Sequence, residues 1–117
     1  MKETFSFSEN VVGYMIQTEL DQETMDDILS KVKDRLKIVS PICLYLEDET
    51  NEGISVGGFL KALEFHFSHS RDLDRVAIVT DDTLFRKSME FKDIVVPANL
   101  KTFKRSERVQ AMNWVMQ

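Results

Sequence analysis

The sequence lacks the features that mark secreted or membrane-spanning chains. Cys43 is its only cysteine, so no internal disulfide can form and a disulfide-stapled secreted domain is excluded. The longest apolar runs, residues 11–16 and 42–46, are far shorter than the ~20 residues that cross a bilayer. The first residues also lack the apolar core of a signal peptide. We therefore expect a soluble, cytoplasmic protein with no transmembrane segment.

Basic residues are outnumbered by acidic ones. Lys and Arg total 15 against 20 Asp and Glu, a net charge of −5. Nucleic-acid-binding proteins gain much of their affinity by neutralising phosphates, so this balance argues against a nucleic-acid partner. The one local basic concentration is Lys101, Lys104, Arg105 and Arg108. It is a candidate contact for an acidic or phosphorylated partner, or for peripheral contact with lipid headgroups. A solvated face of the last helix is the alternative.

Catalytic and metal-binding signatures are missing as well. His66 and His69 are the only histidines, and their spacing supplies two of the three or four ligands that a metal site needs. Solvated histidines on a helix face explain them as well. Asp48, Asp81 and Asp82 could gather at strand ends as in a receiver-type pocket, but helix capping explains the two neighbouring aspartates too. The sequence predicts no enzyme, no cofactor and no metal.

Apolar residues make up 43% of the chain, which is enough for a core, and their spacing changes repeatedly. Alternation predicts an antiparallel hairpin of residues 4–8 and 11–18. A continuous apolar run, typical of a strand covered on both faces, predicts a parallel strand at 41–46, followed by a second buried strand at 75–80 and a short last strand at 100–103. In this reading Cys43 is an inert core thiol. Helical spacing predicts four helices, which begin after Asp21, after Ser55, near Asp81 (ending about Glu90) and near Ser106.

This order of elements predicts an α/β fold with a mixed, mostly parallel sheet, an N-terminal β-hairpin and four helices, in one domain of residues 1–117. The segments around Cys43 and Ala77 should run side by side, centrally and in the same direction. The second helix should pack inward through Val56, Phe59, Leu60, Leu63 and Phe67, with an apolar surface that Phe65 and Ala62 extend. The last helix should pack inward through Val109, Met112 and Val115 or Met116. Ligands favour the carboxyl ends of parallel strands, so residues 18–21, 47–58, 80–83 and 103–106 are the candidate segments.

Several stretches match a known family. They are residues 42–47, the helix start Gly57-Gly58-Phe59-Leu60-Lys61-Ala62, residues 75–80 followed by Asp81, and the closing 100–103 with Glu107, Ala111 and Trp114. In these the chain resembles the STAS domain, and more specifically the SpoIIAA-like family. The resemblance implies a STAS-like fold, related in architecture to CRAL-TRIO lipid-transfer domains, and a non-enzymatic regulatory or protein-interaction role. Small domains of this kind often pair, so a homodimer with Trp114 at its interface is a further expectation.

The resemblance also points to the start of the second helix. Anti-anti-sigma factors carry a phosphorylated serine there, in an Asp-Ser-Ser-Gly type of sequence. This chain has Ile54-Ser55-Val56-Gly57-Gly58 instead, without the Asp-Ser-Ser pairing. Ser55, Gly57 and Gly58 form a candidate phospho-switch or helix-start anion site. The alternative is that Ser55 is an ordinary helix cap.

A second functional hypothesis follows from the eight Phe and six Met residues, since such side chains adapt to varied apolar ligands. It is a carrier or sensor of a lipid, fatty acid or other lipophilic small molecule, bound between helices and sheet. The candidate pocket residues are Phe59, Leu63, Phe67, Phe85, Met89 and Phe91. The alternative is a plain close-packed core.

Overall fold

A computed structural model describes residues 2–8, 10–50, 52–82 and 97–117, of which residues 2–8 are described in their backbone alone. The strands are β1 (Lys2–Ser8), β2 (Val11–Ile16), β3 (Ile42–Asp48), β4 (Leu73–Val79) and β5 (Leu100–Phe103). The α-helices of the described residues are α1 (Gln22–Leu36), α2 (Val56–Ser68) and α3 (Arg108–Val115). A single 3₁₀ turn, Arg105–Glu107, precedes α3.

The five strands form one sheet in the order β1-β2-β3-β4-β5. β1 is antiparallel to β2, whereas β2, β3, β4 and β5 are parallel to one another. Cys43 lies opposite Arg75 and Tyr45 opposite Ala77 on two neighbouring strands that run in the same direction. The mixed, mostly parallel sheet, its N-terminal hairpin and its central strand pair are therefore confirmed.

Helices cover both faces of the sheet. α1 and α2 enclose a larger core on one face, to which β3 contributes Ile42, Leu44 and Leu46. α3 closes a smaller core on the other face, to which the same strand contributes Cys43 and Tyr45. Burial on both faces explains why this strand is apolar without alternation. Burial also raises the pKa of the Cys43 thiol, and the prediction of a core cysteine is confirmed.

The inward face predicted for α2 is partly wrong. Phe59 and Leu63 are buried as predicted, but Val56, Leu60 and Phe67 are exposed. Phe65, which was predicted to extend the apolar surface, is buried too, and the helix also turns Gly58 and His66 towards the protein interior.

The physical reason lies at the start of α2. A Cβ atom at Gly58 would stand 2.3 Å from the carbonyl oxygen of Leu20, so only glycine allows this close approach of helix and neighbouring backbone. The approach fixes which side of α2 faces inward. Because the helix carries apolar residues nearly all round, its periodicity does not specify that side.

The predicted face of α3 is also wrong in part. Val115 is buried and Met112 packs against the smaller core, as predicted, but Val109 is exposed and Ala111 takes an inward position. Met116, the predicted alternative to Val115, is exposed. The orientation of this helix is set at its two ends. At its start the Arg108 side chain donates a hydrogen bond to Glu47 of β3. Near its end Trp114 lies against Phe103 of β5 at a ring-centroid distance of 5.9 Å.

The remaining predicted helix falls mostly outside the described residues. Asp81 and Asp82, which were predicted to cap it, are described and lie before any helix, and the helix itself stays a prediction. The β1–β2 hairpin and the start of α1 agree with the predictions. At the start of α1, the Asp21 carboxylate accepts a hydrogen bond of 2.9 Å from the Thr24 amide, as expected of a helix cap. This hydrogen bond lowers the pKa of Asp21.

Candidate functional site

The described part of the loop between β3 and α2, residues 49–50 and 52–55, is anchored by one buried carboxylate at the carboxyl edge of the sheet. One oxygen of Asp48 accepts hydrogen bonds from the amide and the hydroxyl of Thr50, at 3.0 and 3.1 Å. The other accepts from the Gly53 amide at 3.2 Å and from the Thr80 hydroxyl at 3.1 Å. Four donors thus replace the water that burial of Asp48 removes.

Three further hydrogen bonds fix the far end of this loop. The Asp82 carboxylate accepts a hydrogen bond of 3.3 Å from the Ile54 amide. The backbone of Leu20 donates to the Gly53 carbonyl at 3.0 Å and accepts from the Ser55 amide at 3.2 Å. Gly53 has φ of 82°, and a Cβ there would lie 2.3 Å from an Asp82 oxygen, so the loop requires glycine at this position. The loop is therefore held on three sides.

The predicted gathering of aspartates is present in part, since the Thr80 hydroxyl donates to the Asp48 carboxylate and accepts from the backbone amide of Asp82. Asp81 is used differently, because it accepts a hydrogen bond of 3.0 Å from the Arg105 amide. These carboxylates serve as acceptors for the protein's own donors. Over the described ranges, no three His, Cys, Asp or Glu side chains are arranged so that they could hold a metal ion.

A second buried carboxylate, Glu47, was not identified from the sequence, because the predicted strand ends at residue 46. It is the penultimate residue of β3 and fully buried. The Tyr45 hydroxyl donates to it at 2.5 Å, and Arg108 donates to both of its oxygens, in one case at 3.2 Å. The Nε of Arg105 lies 3.5 Å from it. Burial, and then the bond to Glu47, raise the pKa of Tyr45, which stays a protonated donor.

This arrangement revises the interpretation of the basic concentration. Arg105 and Arg108 neutralise Glu47 and tie α3 to the sheet, so the alternative of a plain solvated face is wrong for these two. The Nζ of Lys101 stands 5.0 Å from the centroid of the Trp114 ring, a cation–π distance. The sequence signal that could have identified Glu47 is the pair Arg105 and Arg108 near the chain end. Nothing in the sequence shows, however, that these two side chains extend to the end of β3.

The start of α2 has the geometry of a cap. The Ser55 hydroxyl accepts a hydrogen bond of 3.0 Å from the Gly58 amide, so the capping alternative is confirmed. A Cβ at Gly57 would contact the Gln22 side chain at an ordinary 3.5 Å. The two glycines therefore differ, since Gly58 is needed for close packing and Gly57 is not. Phosphorylation of Ser55 stays a prediction.

The two histidines do not share a site. The Nε2 of His66 is 2.8 Å from the Asn99 side-chain oxygen, in a buried position. His69 stacks on the Phe65 ring at 4.0 Å and its Nδ1 lies 3.1 Å from the Phe65 carbonyl oxygen. His66 is a structural residue, which corrects the expectation that both histidines are partly solvated.

The structure separates the described members of the lipophilic pocket. Phe59 and Leu63 are buried in the core, whereas Phe67 is exposed, and Phe85, Met89 and Phe91 lie outside the described residues. The cavity between the helices and the sheet, lined by Phe65, His66 and neighbouring core residues, measures about 20 Å³. That is room for about one water molecule.

Three of the large apolar side chains that are exposed in the described chain lie on α2. Val56, Leu60 and Phe67 are 76%, 57% and 54% exposed. At 3.6 residues per turn they lie within about 40° of one another around the helix. We call these three residues the α2 stripe. It begins directly after the anchored loop, so a fixed polar loop and an apolar helix side form one surface.

Comparison with known proteins agrees with this architecture. The SpoIIAA-like family model matches residues 11–116. A similar solved structure is that of an uncharacterised protein of the DUF3478 family, with a SpoIIAA-like fold, from Shewanella loihica PV-4. It is 18% identical with a TM-score of 0.64, over 97% of this chain and 90% of that one, which shows a shared fold. A search of curated proteins gives no match. None of the described helices has the length and apolarity to cross a membrane. By its matched sequence and its sheet topology, the chain belongs to the SpoIIAA-like family.

Proposed function

We propose that this chain is a single, non-enzymatic regulatory module that binds a partner protein through the α2 stripe and the adjoining loop. The observation that carries the proposal is the exposure of three large apolar side chains on one side of α2. Isolated apolar residues are normal at protein surfaces, whereas a contiguous group is typical of an interaction site. Membership of the SpoIIAA-like family supports an interaction role.

The anchored loop adds a second argument. Binding costs less when the contact surface is already ordered, and the contacts of Asp48, Asp82 and Leu20 order this loop in the free protein. Glu52 is exposed on the same loop, and Asp81 is exposed at the neighbouring strand end. Their charges suit a partner that surrounds an apolar contact with basic side chains.

The other hypotheses have less support. Asp48 and Glu47, the buried carboxylates at the carboxyl edge, are both occupied by donors of the protein, so they favour a structural role over acid–base chemistry. A lipophilic ligand would require a cavity far larger than the 20 Å³ found between helices and sheet in the described part. An interaction module is therefore the function that the geometry supports best.

The test compares three tagged forms of the chain expressed in native cells: wild type, Leu60→Glu and Val109→Glu. Both substitutions place a charge at an exposed apolar position on a helix, but only Leu60 belongs to the α2 stripe. Quantitative mass spectrometry should find a protein that co-purifies with wild type and with Val109→Glu and falls at least tenfold with Leu60→Glu. Equal recovery with all three forms would refute the proposed surface.

A further inference from the structure

We infer that the groove between α1 and α2 binds a small apolar amino acid as a free zwitterion. The groove has a volume of about 230 Å³, more than ten times the 20 Å³ of the cavity between helices and sheet. Sites for drug-sized ligands measure about 300–1,000 Å³, so this space suits a smaller molecule. The site is separate from the surface of the proposed function, because the groove lies about 120° round α2 from the α2 stripe.

The floor of the groove is apolar and already ordered. Leu29 of α1 and Phe65 of α2 contribute to its lining and are both buried. The His69 ring stacks on the Phe65 ring at 4.0 Å, and its Nδ1 lies 3.1 Å from the Phe65 carbonyl oxygen, so two contacts fix the imidazole. These three side chains form a preformed surface on which a short hydrocarbon chain can pack.

The walls of the groove carry charges of both signs. Lys61 and Asp26 neutralise each other in an ion pair of 3.7 Å. Lys33 and Glu64 line the same groove, but within the described ranges neither takes part in an ion pair. The ammonium of Lys33 stands instead 5.8 Å from the centroid of the Phe65 ring. One cation and one anion therefore line a single space without neutralising each other.

The spacing of Lys33 and Glu64 leaves room for a ligand between them. Each of α1 and α2 joins two parallel strands of the sheet, so the two helices run in the same direction. The ion pair makes Asp26 level with Lys61. Counted from that level at about 1.5 Å per residue, Lys33 lies about 10.5 Å along α1 and Glu64 about 4.5 Å along α2. The offset of about 6 Å matches two hydrogen bonds of about 2.9 Å, one at either end of a small molecule.

A zwitterion supplies the partners that these groups lack. Its carboxylate accepts from the Lys33 ammonium, and its own ammonium donates to the Glu64 carboxylate. His69 adds a further acceptor: a carbonyl oxygen only accepts, so the neutral ring carries its hydrogen on Nδ1 and leaves Nε2 without one. The apolar side chain of the ligand then packs on Leu29 and Phe65. Because both charges of the ligand are used, the groove favours a free amino acid over a simple acid or a simple amine.

Titration of the isotope-labelled protein with L-leucine to about 50 mM, followed by two-dimensional NMR, covers the millimolar affinity expected of exposed charged contacts. Amide signals of the groove residues should shift, and those of α3 should not. L-Leucinamide, which lacks the carboxylate, and isocaproate, which lacks the amino group, should each bind about fivefold more weakly, because each loses one ion pair. Absence of shifts in the groove, or equal binding of the three compounds, overturns the inference.

Matched substitutions assign the two charges. Lys33→Met should weaken leucine binding about fivefold and leave the weaker binding of L-leucinamide unchanged. Glu64→Gln should weaken leucine binding equally and leave that of isocaproate unchanged. Lys37→Met is the control, because Lys37 ends α1 with its side chain 77% exposed; it should bind leucine as wild type does. Equal losses in Lys33→Met and Lys37→Met overturn the site. Leu60→Glu should also bind leucine normally, which separates this result from the test of the proposed function.

Discussion

The Asp48→Asn variant isolates the contribution of the buried carboxylate to loop order. Each oxygen of Asp48 accepts one backbone amide, that of Thr50 on one side and that of Gly53 on the other. An asparagine has only one acceptor oxygen, so its amino group must face one of those two amides whichever way the side chain is turned. The substitution keeps the size of the side chain and removes one acceptor.

The expected cost follows from the group that loses its partner. A buried backbone amide left without an acceptor costs about 1–3 kcal/mol. The Thr80 hydroxyl adds less, because it can rotate and accept from the new amino group. We therefore expect a loss of about 2 kcal/mol in the free energy of unfolding, or roughly 6–10 °C in Tm for a chain of this size.

Urea unfolding followed by circular dichroism measures this loss, and amide hydrogen exchange shows where it acts. Protection should fall at Thr50 or Gly53 and in the rest of the loop, while the central strands keep theirs. Asp34→Asn is the matched control, because Asp34 is 73% exposed and its 3.5 Å pair with Lys37 lies at the surface. It should change the free energy of unfolding by less than about 0.5 kcal/mol. Equal effects of the two substitutions would refute the reasoning.

Three other substitutions test separate parts of the structure. Gly58→Ala should lower the free energy of unfolding by about 1–3 kcal/mol, because the added Cβ meets the Leu20 carbonyl oxygen. Gly57→Ala, whose Cβ has room, should cost far less when both variants are compared by thermal unfolding. Arg108→Met should cost about 2–4 kcal/mol in urea unfolding, because it removes the main partner of a buried carboxylate. Asp21→Asn should flatten the decline in stability between pH 5 and 2. The carboxylate of Asp21 has a lowered pKa, so it stabilises the fold above its usual value of 3.8 and loses that effect as the pH falls through its folded pKa.

The parts of the fold that could be predicted from sequence are those specified by neighbouring residues. Asp21 and Ser55 cap their helices through amides three positions later, which is a local pattern. β3 was predicted from its continuous apolar run and β5 within its observed bounds. The parallel pairing of β3, around Cys43, with β4, around Ala77, was predicted from the helix between them, because strands joined by a helical crossover are parallel.

The parts that could not be predicted depend on contacts between distant residues. Glu47 and Asp48 have the composition of a loop, yet they are buried because Arg108 and Thr80 reach them from 61 and 32 positions away in the chain. The face of α2 is set by Gly58 against Leu20, and a helix that is apolar on several sides gives no periodic signal for it. For the same reason the α2 stripe, now the main candidate surface, was assigned to the core.

Site-specific photo-crosslinking in native cells is the most direct test that the α2 stripe is a binding surface. A photoreactive amino acid would replace Leu60 in one form and the exposed Val109 in another. We predict that the form modified at position 60 gives a discrete adduct with another protein, and that the form modified at position 109 does not. An adduct of twice the mass of the chain would instead identify a second copy alone. No adduct at position 60, or equal adducts at both positions, would contradict the account.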